Sequence, residues 1–198
     1  MTRIRKKAPI GTVLDFVAEA GMLKQVRRSG WSVLGIRDAE SVADHSFRCA
    51  VIGYLLSRLE GTDSFAVLLM TLFNDIQEAR ITDLHKMAQR YIDGEEAEDK
   101  SFVEQMRRLP EEIRSELTGL RKEYRAQRSR ESVVARDADI LECLIQAKEY
   151  YEHGFLGAKN FMKKAPRFLK TWSAKALWRL AKRRPVNDWW FALSEFKR

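Results

Sequence analysis

Along the chain, apolar positions recur mainly at helical spacing. Between residues 11 and 29 they fall at 13, 14, 16, 17, 22, 23 and 26, a single stripe interrupted at Gly21. The stretch from Asp38 to Gly61 carries Ser41 and Asp44 in capping-box relation and stops at a glycine, so it predicts a long helix. A third helix is predicted from about Asp63 to Arg80. Its nearly continuous apolar run over 65–73 predicts burial on all sides and a place at the centre of the fold. The acidic run 94–100 reads as a solvated loop or helix start. Pro110, followed by Glu111 and Glu112, marks the first turn of another helix. Residues 131–152 form a further one, with Val134, Ile140, Leu141, Leu144, Ile145 and Ala147 making most of its inner stripe. Beyond residue 155, two or three short helices are broken near Pro166 and Pro185. No stretch shows the period-two alternation of a strand, and the predicted fold class is all-α.

Composition narrows the class. A chain of 198 residues, 45% apolar and 32% charged with only 4 Pro, has the balance of a helix-rich globular protein and needs no more than one packed domain. No apolar run approaches the roughly 18–20 residues that span a bilayer, and the start lacks the apolar stretch of a signal peptide, so the expected location is the cytoplasm. Cys49 and Cys143 support neither a disulfide framework nor a thiolate zinc site. The net charge of +8 is unevenly spread: residues 155–198 carry +10 and residues 1–154 about −2. We therefore divide the chain into a helical domain, 1–154, and a basic, aromatic helical extension, 155–198, packed on the same domain.

Chemistry concentrates at three places. His45 shares a helix face with Val42, Cys49 and Ile52 and points inward, either as a core histidine or as a ligand. Asn74, Asp75 and Glu78 lie at the C-terminal end of the apolar helix, where the partial negative charge of the helix terminus disfavours carboxylates. Positive charge is required there, from Arg80, from an arginine of the tail, or from a divalent cation. Asp139 interrupts the inner stripe of 131–152 one turn before Glu142, with either Asp137 or Asp139 facing outward. Together, His45, Asn74, Asp75 and Asp139 would bring imidazole, amide and carboxylates from three helices around one hard metal ion.

The motif order "LKQVRRSGWSVLGI…ESVADHS…NDIQEARITDLHK…RDADILE" resembles the HD-domain phosphohydrolases over roughly residues 20–152, specifically the small 5′-deoxynucleotidase branch that includes the HD domain-containing protein 2 group. The resemblance implies an all-α HD-domain bundle with metal ligands His45, Asp75 and Asp139. Asn74 stands where the family has the histidine of its His-Asp doublet. The resemblance further implies Glu78 as the carboxylate that orients or deprotonates the attacking water, Asp83 as an acid near the leaving oxygen, and Arg28 and Trp31 as substrate-binding residues that hold the phosphate and pack against the sugar. Read without it, Arg28 is a surface arginine and Trp31 a core aromatic, while His85 either lines the pocket or, the preferred reading, caps or packs in the next helix.

The implied cofactor is one divalent metal ion, Mg, Mn or Co. An amide oxygen at position 74 suits Mg²⁺ or Mn²⁺ better than Co²⁺, Fe²⁺ or Zn²⁺, so a retained pocket with altered metal preference is expected. The expected function is release of phosphate from nucleoside 5′-monophosphates, deoxyribonucleotides in particular, by a protein that pairs into a homodimer as family members do. The alternative is a catalytically weakened protein of the same fold that binds nucleotide or nucleic acid without turnover. In the tail, Trp172, Trp178, Trp189 and Trp190 alternate with basic residues. The preferred reading makes these aromatics core, with Trp172, Leu177 and Leu180 inward; the other makes them a nucleic-acid or anionic-membrane surface.

Overall fold

A 23-residue helix runs through the middle of the protein and lends its apolar stripe to nearly every other element. The computed structural model describes residues 10–193. In chain order its α-helices are α1 (Ile10–Ala20), α2 (Val42–Glu60), α3 (Ser64–Phe73), α4 (Glu78–Ile81), α5 (Gly94–Arg107), α6 (Glu111–Ala126), α7 (Arg130–Glu152), α8 (Lys159–Lys164), α9 (Trp172–Ala181) and α10 (Asp188–Leu193). Among the described residues the one β feature is an isolated bridge between Arg27 and Ser41, and the fold is all-α.

The central helix is α7. Its Val134, Ala135, Ala138, Leu141 and Leu144 pack against Cys49 and Leu56 of α2 and Val67 and Met70 of α3. Leu141 and Leu144 are fully buried, so truncating either to alanine would cost about 2–5 kcal/mol. Helices α2 and α3 approach closely at Gly53, where a Cβ would lie 2.9 Å from the methyl of Thr71. The start of α2 is fixed by the expected capping box: Ser41 Oγ accepts the Asp44 N–H, and the Asp44 carboxylate accepts the Ser41 N–H. The same helix ends where Gly61 takes φ +65°, a left-handed conformation in which a Cβ is disfavoured.

Several sequence expectations need correction. The single helix over 63–80 is broken: α3 ends at Phe73, residues 74–77 turn, and α4 begins at Glu78. The break accords with the polar residues found there, because a helix end frees their side chains and backbone to face a cavity. Nor is α3 buried all round. Phe65 and Leu72 are exposed, and the central position belongs to α7, whose small residues allow neighbours close on several sides. Of the two readings offered for residues 94–100, the structure has the helix start: they form the first turns of α5, begun by Asp93, whose carboxylate accepts the Glu96 N–H. Pro110 is the N-cap of α6 and lies just outside the first turn.

The segment after residue 154 joins the main core. Leu169, Ala174 and Trp178 belong to the same apolar cluster as Cys49 and Leu141. The inward stripe of α9 is Ala174, Trp178 and Ala181, whereas Trp172, Leu177 and Leu180 face outward, with Trp189 and Trp190 also exposed. The expected register of this helix was therefore rotated. Asp137, fully buried, tethers the segment: its carboxylate accepts the Lys170 N–H at 2.9 Å, the Thr171 N–H at 2.6 Å and the Thr171 hydroxyl at 2.7 Å. Neither Asp137 nor Asp139 is the outward residue, since Asp139 turns into the cavity on the other side of α7.

Candidate metal centre and its cavity

Three helices deliver one polar group each to a common point. His45 lies in the first turns of α2, Asp75 just past the end of α3, and Asp139 in the first half of α7. The imidazole Nε2 of His45 is 3.4 Å from Asp75 Oδ2 and 3.3 Å from Asp139 Oδ1. Donors sharing one small cation lie about 3 Å apart, so these separations fit a shared divalent ion. The imidazole is buried, and its other nitrogen is committed. Nδ1 pairs with the carboxylate of Glu142, which is itself fully buried and receives Arg48 Nε at 2.9 Å and Nη2 at 2.7 Å. Arg48 continues to Glu149. A carboxylate on Nδ1 sets the tautomer that presents the Nε2 lone pair to a metal.

A second cluster, Glu40, His45 and Glu142, also brings ligand atoms within 4.8 Å of one another, on the opposite ring nitrogen. Three of its four carboxylate oxygens are engaged: Glu142 holds His45 and Arg48, and one oxygen of Glu40 accepts the Trp31 indole N–H at 2.8 Å. This cluster supports the imidazole from its Nδ1 side and leaves Nε2 facing Asp75 and Asp139.

Without a cation, the charges arrange themselves around the histidine. Burial works against the imidazolium, but Asp139 and Glu142 outweigh it and hold the His45 pKa well above its ordinary value. Burial likewise opposes ionisation of Asp139; His45 and Arg136 prevail and hold that carboxyl low. Asp75 goes the other way: burial, with Asp139 and Asp83 close by, raises it against the pull of His45 and Arg28. Glu78 is pushed up to about 10 by burial and by the like charges of Asp75 and Asp83. Its buried Oε2 has no hydrogen-bond partner. An orphaned carboxylate oxygen in a cluster of acids is consistent with a site that gains positive charge.

The remaining residues singled out in the sequence line the same cavity, of about 1030 Å³. Arg28 Nη1 is 3.5 Å from Asp75 Oδ2 and supplies the nearby cation that had been sought in Arg80. Arg80 instead pairs with Glu19 of α1 and Glu104 of α5, away from the site. Asp83 follows Thr82, whose φ of +63° is strained for a β-branched residue, and its carboxylate accepts the Ser29 N–H at 2.6 Å. Trp31 is only 3% exposed; its ring packs on Tyr150 and Phe161, so it borders the cavity as part of an aromatic core. His85 Nδ1 accepts the Ala88 N–H, in the capping role expected of it. Asn74 is turned toward its neighbour: Nδ2 donates to Asp75 Oδ1 at 2.7 Å.

Sequence reasoning overlooked several groups. Glu142 was visible only as another acid one turn after Asp139. Arg48, one turn after His45 and itself part of a charged face, was not read at all. Arg136 and the hydroxyl of Tyr124 both donate to Asp139 Oδ2, at 2.9 and 3.3 Å, so the carboxylate offers its other oxygen to His45. Arg136 could have been found as the i−3 partner of Asp139.

Comparison with known proteins agrees with this arrangement. A family model described as HD domain matches residues 20–178. The mouse 5′-deoxynucleotidase HDDC2 is 30% identical over 139 residues, 70% of this chain and 69% of that one. A conserved hypothetical protein from Pyrococcus furiosus superposes with a TM-score of 0.70 at 32% identity, covering 86% of this chain and 99% of its own. A structure from Magnetospirillum magnetotacticum, described as a predicted metal-dependent phosphohydrolase, gives 0.73 at 22% identity over 90% and 93% of the two chains and supports the fold. By sequence match, fold and the placement of His45, Asp75 and Asp139, this chain belongs to the HD domain family.

Proposed function

We propose that the protein is a cytoplasmic, metal-dependent phosphohydrolase that releases phosphate from nucleoside 5′-monophosphates, with deoxyribonucleotides preferred. The observation that carries this reading is the approach of His45 Nε2 to the carboxylates of Asp75 and Asp139, which with Arg28 line one cavity. The names of the curated relatives point to the same class of substrate.

His45, Asp75 and Asp139 would hold the cation, which when bound supplies Lewis-acid polarisation of a phosphoryl oxygen. Arg28, whose guanidinium is kept charged by the surrounding acids although burial opposes it, neutralises the phosphate. Glu78, pushed up to about 10 by burial and by the like charges of Asp75 and Asp83, is the carboxylate that would take a proton from the attacking water once a cation offset those charges. Asp83, anchored by Ser29, stands as the acid near the leaving oxygen. Asn74 orients Asp75 in place of the family's histidine, which leaves the protein with one imidazole ligand and favours a hard ion such as Mg²⁺ or Mn²⁺ over Co²⁺. The homodimer belongs to the same reading, and the outer face of α2, where Phe47, Val51, Leu55 and Leu59 are exposed, is the surface we assign to it.

The replacement of the family's histidine by Asn74 also favours the second reading, a nucleotide-binding protein without turnover, because its free amide oxygen is a weaker ligand than imidazole. Phosphate release from a panel of ribo- and deoxyribonucleoside monophosphates, with Mg²⁺, Mn²⁺ and Co²⁺ in turn, decides between them. Release with at least one ion supports the enzyme; nucleotide binding without release under all three supports the rival.

A further inference from the structure

The basic, aromatic extension has no part in the chemistry just described, yet it forms one wall of the cavity. Phe161, Ala165, Phe168 and Lys170 all line it, next to Ile140, the residue after Asp139. The wall is held in place through Asp137, which binds the backbone of Lys170 and Thr171 from α7, two residues before Asp139. Phe168 stands out on this wall. The residue is 54% exposed, although it is a large aromatic. The Arg167 guanidinium lies 4.7 Å from the centroid of its ring. Arg28, Asp75, Glu78 and Asp139 gather charge in another part of the same cavity, whose remaining lining is largely apolar. A ligand that spans it has a charged end and a flat apolar end.

Resting on the nucleotide reading above, we propose that Phe168 is the base-binding residue, an aromatic platform on which the nucleobase of the substrate stacks while its phosphate lies at Arg28 and the acids. Every nucleobase has a π-face, so stacking of this kind adds affinity with little choice among bases. Lys170, next along the wall, adds a cation at the same rim. The extension thus completes the substrate cavity with two of its aromatics, Phe161 and Phe168.

The test compares Phe168→Ala and Phe168→Trp with the wild type on 2′-deoxyadenosine 5′-monophosphate and on 2-deoxyribose 5-phosphate, which lacks the base. Both KM and calorimetric Kd are measured. Phe168 is exposed, so the alanine variant keeps the fold. The expected result is a rise of about tenfold in KM and Kd for the nucleotide in Phe168→Ala, within the range of one base–aromatic stack, with kcat and the values for the sugar phosphate unchanged. Phe168→Trp restores nucleotide binding. Equal losses for both compounds, or none for either, would overturn the assignment. A wild type that hydrolyses neither compound contradicts the phosphohydrolase reading, and the calorimetric comparison then still decides the role of Phe168.

Discussion

Glu142→Gln alters one oxygen in a carboxylate that touches no substrate, and its consequences can be worked from the contacts. Glu142 accepts from His45 Nδ1 through one oxygen and from Arg48 Nε and Nη2 through the other, with no solvent exposure. An amide keeps one acceptor and turns an NH₂ toward the remaining donor, leaving a buried arginine or imidazole facing a hydrogen. Breaking one side of a buried ion pair costs about 3–5 kcal/mol. Arg48 retains Glu149 and Gln146, which places this change at the lower end, about 3 kcal/mol. The second effect is on the metal. Loss of the group that orients a ligating histidine lowers affinity by about 10–100-fold, or roughly 1.4–2.8 kcal/mol. Urea unfolding of the metal-free protein reads the first quantity, and titration calorimetry with Mn²⁺ reads the second. A Glu142→Gln protein that loses stability yet binds Mn²⁺ as tightly as the wild type would refute the orienting role and leave Glu142 as a packing residue.

Three further outcomes follow from other contacts. Asp137→Ala strands the Lys170 and Thr171 N–H groups and the Thr171 hydroxyl, and should lower stability by about 3 kcal/mol in urea melts; an unchanged midpoint would mean that the extension is held by its apolar contacts alone. Asn74→His should raise affinity for Co²⁺ and Zn²⁺ by about tenfold or more and increase phosphate release, measured on the purified pair of proteins; no gain in either contradicts the role given to position 74. The Glu19 carboxyl is held below its ordinary value chiefly by Arg80. A depressed carboxyl contributes stability that is present above its unfolded pKa and lost as pH falls through the folded one. Glu19→Gln should therefore cost about 0.5 kcal/mol at neutral pH, a figure reduced for its exposure, and lose less than the wild type below about pH 4. Parallel pH–stability curves for the two proteins would contradict it.

Local signals were the legible ones. The capping box at Ser41 and Asp44, the stop at Gly61 and the stripe of α7 depend on residues a few positions apart, and the structure has them. Polar residues in apolar contexts also carried information, because His45, Asp75 and Asp139 are costly where they stand unless they meet. What could not be read depended on partners far along the chain. Arg80 stands beside Glu78 and Asp83 in sequence and Arg28 beside no acid, but the packing of the loop before α2 brings Arg28 to Asp75, while α1 and α5 draw Arg80 to Glu19 and Glu104. The apolar run of α3 gave no hint that Phe65 and Leu72 would stay exposed, since an unbroken run has no phase. The same ambiguity rotated α9. With leucines, alanines and tryptophans all available, the sequence has more than one apolar face to offer, and the structure turns Ala174, Trp178 and Ala181 inward. The pairing of Glu142 with His45 spans 97 positions and had no local trace.

The account rests on His45, Asp75 and Asp139 sharing a single cation, and Mn²⁺ titration of the wild type beside His45→Gln and Asp139→Asn addresses it directly. The predicted result is one ion per chain in the wild type, with affinity reduced by about 100-fold or more in each variant while both remain folded. Wild-type affinity and stoichiometry retained in either variant would place the ion elsewhere and contradict the site.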